Sequence, residues 1–304
     1  MIRSFFLITV LFFLCKNPSY AKSLKDSTNT IKKVINIGVP SAAVISLVGI
    51  NEVWYKNYAR SGFHFFDDLK EWNGMDKVGH ACTSYHLNKV SHTLFEKNHI
   101  KNPLLKSSIY TFGYMLGVEL LDGYSTEWGF SIYDVIGNGL GTFLYSIQES
   151  KLKSQPFKIK FSSTKTAYAT CRPSLLGENR LQQIFKDYNG QTYWVTFNYN
   201  ELSNKKIKIF DYVNFAFGYS VDGFTGGHNN PEITSCNCAI SECNNLRRTS
   251  QFIFSLDLNT SKIKNNHPII GKFLLPFDII KIPFPAFILN LSLIHISEPT
   301  RPLS

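Results

Sequence analysis

The spacing of hydrophobic and polar positions changes along the chain, and the change divides it in two. From about residue 34 to residue 150 apolar residues recur every three or four positions, while beyond residue 190 they alternate with polar or small ones. The first spacing builds helices with a covered face, the second builds strands. Four helices are expected in the first part. One covers residues 34–50. A second opens at Asp76, after the glycine stop at Gly74, and runs to about Asn98. A third starts near Pro103, passes Ile109, Phe112, Met115 and Leu116, and ends at Leu121 before Gly123. A fourth follows Ser131, a suitable N-cap, and reaches about Glu149. Residues 63–74 form an aromatic and acidic connector between the first two.

The second part has a different texture. Residues 178–188 have an amphipathic helical pattern with Leu181, Ile184 and Phe185 on one face, closed by Asn189-Gly190. Three alternating stretches follow, at residues 192–198, 212–221 and 251–258. In the second, Val213, Phe215, Phe217 and Tyr219 point one way and Asn214, Ala216, Gly218 and Ser220 the other; in the third, Phe252, Phe254, Leu256 and Leu258 share a face. Such alternation means strands with one buried side. Three strands fall short of the roughly eight that a small outer-membrane barrel needs, so a small antiparallel sheet covered on one face is expected. The fold class is therefore α+β: a mainly α four-helix bundle at residues 35–152, then a mixed region at 153–290 with antiparallel strands. A Gly-, Asn- and Cys-rich loop occupies residues 222–245, where Gly226-Gly227-His228 reads as a turn.

The two ends are set apart from the fold. Arg3, an apolar run over residues 4–14 and Ser19-Tyr20-Ala21 make up the three-part layout of a secretory signal, here residues 1–21. Residues 22–34 are polar and lysine-rich and read as a linker. Cys15 follows the bulky Leu14, which disfavours cleavage and lipid attachment at that cysteine. At the other end, Leu293-Ile294-His295-Ile296-Ser297-Glu298-Pro299 resembles the translation of a common sequencing adapter. Residues 291–304 are accordingly left out of functional reasoning, and the native carboxyl end is expected to differ.

Composition adds limits. The 304 residues are 44% hydrophobic and carry a net charge of +10, which fits an ordered protein with an acidic polymer or anionic lipid as a possible neighbour. The lysines are scattered and no nucleic-acid motif appears, so a nucleic-acid partner is not expected. An envelope membrane or anionic lipid is the partner considered; oligomeric state is left open. Residues 34–50 fall short of the about 20 apolar residues of a membrane helix and contain Asn36 and Pro40, so a helix buried in a bundle accounts for them equally well. Beyond the leader, Cys82, Cys171, Cys236, Cys238 and Cys243 form an odd set, which allows at most two internal disulfides and leaves a thiol over.

Candidate chemistry gathers in residues 75–141. Asp76, His80, Ser84 and Asn88 recur every four positions and share one stripe of the second helix. Asp76 and His80 suit a general base with its orienting carboxylate, or a metal ligand with its support; they equally suit a helix first-turn acid and a satisfied core histidine. Glu119 and Asp122 lie near the end of an otherwise apolar helix, where a buried carboxylate needs compensation. Asp134 and Asn138 form a third couple among Gly137, Gly139 and Gly141, which permit close backbone approach. These six residues are the candidate catalytic set, with Asp76, His80 and Glu119 as possible ligands of a divalent metal.

The order Asp76-Lys77-x-x-His80, Glu119-x-x-Asp122-Gly-x-Ser125, Trp128-Gly-Phe-Ser131 and Asp134-x-x-x-Asn138 resembles the YfiM-like family of periplasmic lipoproteins, a domain of unknown function, over about residues 35–152. More distantly it is similar to the VanZ-like membrane proteins, which are linked to glycopeptide resistance and envelope lipids; Asp122 stands where that group has glutamine. The resemblance implies an exported or membrane-associated envelope location and no established reaction. Two functions are expected to compete: a binding or structural envelope component whose polar cluster fixes the bundle, and an enzyme-like site acting on an envelope lipid or glycan.

Overall fold

Four long helices open the fold: α1 (Ser27–Ile50), α2 (Met75–Lys97), α3 (Pro103–Asp122) and α4 (Ile132–Leu152). The computed structural model describes residues 27–51, 59–232 and 246–292; the expected signal sequence lies outside them. The expected linker is corrected, because α1 already begins at Ser27 inside that lysine-rich stretch, and lysine is a good helix former. α2, α3 and α4 pack on one another, whereas α1 rests chiefly on α3. Among the described residues no helix is long and apolar enough to cross a membrane.

α2 is the central element. It starts after three residues in the left-handed region, Trp72 (φ 50°), Asn73 (φ 48°) and Gly74 (φ 75°), a conformation that costs about 1–2 kcal/mol for each non-glycine residue. Tertiary bonds hold it there. The Trp72 N–H donates to Gly227 O at 3.0 Å, the Tyr219 hydroxyl donates to Asn73 O at 2.7 Å and the Asn73 amide donates to Ser250 Oγ at 3.1 Å. Downstream, the stripe of His80, Ser84 and Asn88 is buried. Asn88 donates to Thr142 O at 3.2 Å and Ser146 Oγ at 2.9 Å on α4.

Glycines on α4 allow that contact. A Cβ at Gly137 would lie 2.7 Å from Lys77 O, and one at Gly141 would run into Ala81 O. Both backbones therefore touch without intervening side chains. Gly139 faces away, with only Phe112 in ordinary contact at 3.7 Å, so two of the three glycines carry the expected role. α4 caps as expected, with the Asp134 N–H donating to Ser131 Oγ at 3.1 Å. On its outer side Ile136, Leu140 and Phe143 are exposed.

The second region is a five-stranded antiparallel sheet in the order β1-β2-β3-β4-β5. Its strands are β1 (Phe157–Ser163), β2 (Gln191–Phe197), β3 (Val213–Asp222), β4 (Thr249–Leu258) and β5 (Ala286–Ser292). The three expected strands are β2, β3 and β4. β1 and β5 are additional, and β5 reaches two residues into the tail that had been set aside. Short helices fill the connections: α5 (Tyr168–Cys171), α6 (Pro173–Leu176), α7 (Arg180–Lys186), α8 (Tyr199–Leu202), α9 (Thr260–Asn266) and α10 (Pro268–Phe273). α7 is the amphipathic helix expected at 178–188.

The polar face of this sheet is covered, and the apolar face is covered only where Ile159, Phe161 and Tyr193 meet the helices. Lys158, Lys160, Thr196, Asn214, Ala216 and Asp257 are buried, while Val195, Phe217, Phe252, Phe254 and Leu256 are exposed. The sheet also curls strongly. Lys160 on β1 meets Asp257 on β4 at 2.5 Å, across two intervening strands, and both are fully buried. Residues 279–281 line the free edge of β1 through Phe161 N–H to Ile279 O at 2.8 Å and Lys281 N–H to Phe161 O at 2.9 Å. The chain then reaches the far edge, where β5 pairs with β4, so one segment spans both edges.

Bundle and sheet share a core in which Met75, Cys82, Tyr85 and Tyr145 meet Ile159, Phe161, Tyr193 and Phe224. Polar bonds fix the joint. His86 Nε2–H donates to Ile159 O at 2.8 Å, and Gln148 exchanges two bonds with the Phe157 backbone at 2.8 and 3.0 Å. Cys82 is a buried free thiol, pushed up to about 12 by burial. Cys171 is disulfide-bonded, and Cys236, Cys238 and Cys243 lie outside the described residues.

Two outcomes follow from this packing. Gly141→Ala forces α4 off α2 and lowers the unfolding free energy by about 1–3 kcal/mol, read from urea denaturation. Burial, with Lys89 adding to it, holds the His86 imidazole down to about 3, whereas an unfolded histidine charges near ~6.5. The unfolded chain thus binds the extra proton first, and stability falls as pH drops from about 6.5 toward 3. His86→Gln keeps a donor for Ile159 O but cannot titrate; its urea midpoint should vary less than the wild type's over that window.

Candidate functional site

The site is assembled from four places in the chain. Residues 60–66 run beside the loop after α3, through His64 N–H to Gly123 O at 3.0 Å and Phe130 N–H to His64 O at 2.9 Å. This pairing sets Asp68 against Ser131, whose hydroxyl donates to Asp68 Oδ1 at 2.6 Å. The first turn of α2 supplies Asp76, Lys77 and His80. α3 supplies Glu119, and α4 supplies Asp134 and Asn138.

His80 is held on both edges of its ring. Nδ1 lies 3.1 Å from Asn138 Oδ1 and 3.2 Å from Glu119 Oε1. Both are acceptors, so the network assigns the ring hydrogen to Nδ1 and leaves the Nε2 lone pair bare. Nε2 faces Asp76 Oδ2 and Asp134 Oδ2, each at 3.8 Å. Asn138 is oriented in turn: its Oδ1 also accepts from Ser84 Oγ at 3.0 Å, and its Nδ2 donates to Glu119 Oε1 at 3.5 Å. His80, Glu119, Asp134 and Asn138 are all buried.

Lys77 provides the positive charge. Its ammonium is paired with Asp68, lies 3.0 Å from Asp134 Oδ1 and 3.4 Å from Asp76 Oδ2. The second Asp76 oxygen accepts from the Tyr188 hydroxyl at 2.7 Å, which ties the cluster to the C-terminal region. Tyr188 stacks against Trp72 with ring centroids 5.0 Å apart, so the left-handed turn before α2 also positions this bond.

The neighbours push the two nearest carboxyls in opposite directions. Burial would raise Asp76, but His80, Lys77 and the Tyr188 bond outweigh it and hold this carboxyl well below the ordinary range. Burial and the negative charge of Asp76 raise Asp134 to about 10 against the pull of Lys77. Burial also lowers His80, against the attraction of Asp76. These shifts favour an ionised Asp76 and a neutral His80, and they draw Asp134 toward its protonated form. That arrangement has the parts of an acid–base pair, because one carboxyl is drawn toward its protonated form beside a bare imidazole nitrogen.

Of the six sequence candidates, Asp76, His80, Glu119, Asp134 and Asn138 meet in this cluster. Asp122 ends α3, where its carbonyl accepts from Ser125 N–H at 3.0 Å; the contacts described above run through the other five. For a metal, Asp76, His80 and Asp134 each offer an atom within 4.8 Å of the others. Glu119 lies on the opposite edge of the ring, so Asp134 takes the place that Glu119 was expected to fill. Two carboxylates and an imidazole suit a divalent transition metal, but the Lys77 ammonium beside them opposes a second cation, and Asp134 would first have to release its proton. The sequence reasoning named Lys77 only as part of the motif and gave no role to Lys77, Asp68 or Tyr188. Lys77 adjoins Asp76 and so lies off the four-residue stripe; only the length of its side chain brings it back.

A helical domain organised around a buried charged cluster, joined to a sheet with its polar face inward, is thus the class of protein defined here. Residues 62–149 match the model of the family described as Predicted periplasmic lipoprotein (DUF2279). The match spans the cluster from Asp68 to Asn138 and agrees with an exported, envelope location. No curated protein and no solved structure matches the chain.

Lys77→Met leaves the carboxylates of Asp68, Asp76 and Asp134 without their ammonium. The expected cost is about 3–5 kcal/mol of unfolding free energy, measured by urea denaturation at neutral pH. A change below about 1 kcal/mol would mean that the lysine contributes no more than a surface ion pair.

Proposed function

We propose that this chain is a binding or structural component of the cell envelope, in which the buried cluster locks the helical domain and its joint with the sheet. One observation carries the reading: the Lys77 ammonium is surrounded by carboxylates from the connector, α2 and α4, while Tyr188 from the C-terminal region bonds Asp76. Four segments distant in sequence therefore share one set of buried charges, which is how a polar core specifies a single arrangement. Glu119 is 1% and Asp134 5% exposed, and of the groups around His80, Asp76 keeps the largest side-chain exposure, 22%.

A second reading is an enzyme-like site acting on an envelope lipid or glycan. It is favoured by the separation of the two carboxyls, with Asp76 held ionised and Asp134 raised to about 10. In that reading His80 Nε2 acts as base or metal ligand, Asp76 orients it and Asp134 donates a proton. A divalent metal would be held by Asp76, His80 and Asp134.

His80→Ala separates the two. In a deletion strain carrying this variant, the structural reading expects rescue to follow the amount of folded protein, with unchanged envelope lipid and glycan profiles. A folded variant that fails to rescue and alters one of those profiles would establish the enzymatic reading. Metal analysis of the purified wild type supplies the second arm: the structural reading expects no stoichiometric metal, and a bound ion lost in His80→Ala would support ligation.

A further inference from the structure

One part of the apolar face of the sheet, around Ile159, Phe161 and Tyr193, is buried against the helices, and the rest of that face is uncovered. Across its outer face, Val195, Phe217, Phe254 and Phe287 form one row over four adjacent strands, and they are 43%, 43%, 41% and 65% exposed. The next row on the same face adds the exposed Phe252 and Leu289, while Tyr219, Tyr193 and Phe161 of that row pack against the helical domain. On the inner face, Lys160 and Asp257 are fully buried as an ion pair, Lys158 donates to Ser261 Oγ at 2.8 Å, and Lys281 donates to Ser255 Oγ at 3.1 Å. Burying charge while exposing a ladder of aromatic rings reverses the preference of a water-facing sheet. It matches the rule for strands in lipid, which turn polar residues inward and apolar residues outward. β3 and β4 have 10 residues each, within the roughly 9–11 that a membrane-crossing strand requires.

The end of the sheet where β2, β3 and β4 meet residues 199–212 and 260–275 has a matching charge. Lys264 is paired with Asp278; the other five lysines of these two segments (205, 206, 208, 262 and 272) stand against Glu201 and Asp211, a surplus of three positive charges. Exposed Ile209, Ile269 and Phe273 are interspersed with them. Apolar side chains among lysines at the rim of an apolar wall are suited to anionic headgroups above hydrocarbon.

We propose that the outer face of the sheet lies against the hydrocarbon of an envelope membrane, with its lysine-rich end at anionic headgroups. The proposal does not depend on the role of the His80 cluster. The mature chain is mixed with vesicles of phosphatidylethanolamine and phosphatidylglycerol, and binding is measured by flotation. The wild type should float, and Phe217→Asn/Phe252→Asn/Phe254→Asn should bind at least about tenfold more weakly, since each ring removes buried apolar area, while retaining its circular dichroism spectrum. Lys205→Gln/Lys206→Gln/Lys208→Gln should weaken binding to these vesicles more than to phosphatidylcholine. Should the triple phenylalanine variant fail to fold, Phe217→Trp decides: brominated acyl chains should quench its emission beyond that of the wild type. The proposal is overturned if the wild type stays in solution, if the folded phenylalanine variant floats equally well, or if Phe217→Trp shows no added quenching. It is also overturned if sedimentation shows a dimer that the phenylalanine variant abolishes, because a second copy would then cover this face.

Discussion

The direct contact between the backbones of α2 and α4 is the constraint on which the site depends. Gly137 lies against Lys77 O and Gly141 against Ala81 O, so the axes come closer than any pair with side chains between them would allow. One turn before Gly137, Asp134 is carried to the Lys77 ammonium; in the next position after it, Asn138 is carried to the His80 ring. Larger residues at either glycine would move both partners away from the first turns of α2. The polar stripe would then face a gap, and buried polar groups without partners are costly.

Charge balance follows from that approach. Asp68, Asp76, Glu119 and Asp134 converge on one lysine and one histidine. The surplus of carboxylates is relieved in two ways. Asp134 is drawn toward its protonated form, and the remaining oxygens accept from neutral donors such as Ser131, Asn138 and Tyr188. Because those donors come from different segments, the relief of charge also fixes tertiary order. The same groups leave His80 Nε2 with no proton of its own between two carboxyls shifted in opposite directions, so a structural cluster and an acid–base site share nearly the same anatomy.

Much of the helical half was legible in the sequence. The four-residue recurrence of Asp76, His80, Ser84 and Asn88 identified the face of α2 that is buried, since helical period and burial are directly linked. Ser131 was recognisable because N-caps depend on local chemistry. Lys77 was not, because periodicity assigns a direction to Cα–Cβ and says nothing of how far a long side chain bends back. Tyr188 lies 112 residues from Asp76, and no local pattern reports such a distance. In the sheet, alternation located β2, β3 and β4 but not which side would be covered. β1 carries the same signal, Phe157, Ile159 and Phe161 alternating with Lys158 and Lys160, but it was not recognised; β5 escaped because its end runs into the stretch that looked like adapter sequence.

The polarity of the sheet and the composition of the cluster have a common physical origin. Burial of lysine requires a partner that reaches it without water, and the chain supplies one in each region: Asp134 and its neighbours for Lys77, Asp257 for Lys160. In the bundle this places charge between helices, whose outer sides stay free to be apolar, as with Ile136, Leu140 and Phe143 on α4. In the sheet it places charge inside the curl beside the buried Trp194, and the same period-two alternation turns Phe217, Phe252, Phe254 and Phe287 outward. Each region thus buries a satisfied charge cluster beside its apolar core and leaves an apolar stretch on its surface, Ile136, Leu140 and Phe143 on α4 and Phe217, Phe254 and Phe287 on the sheet.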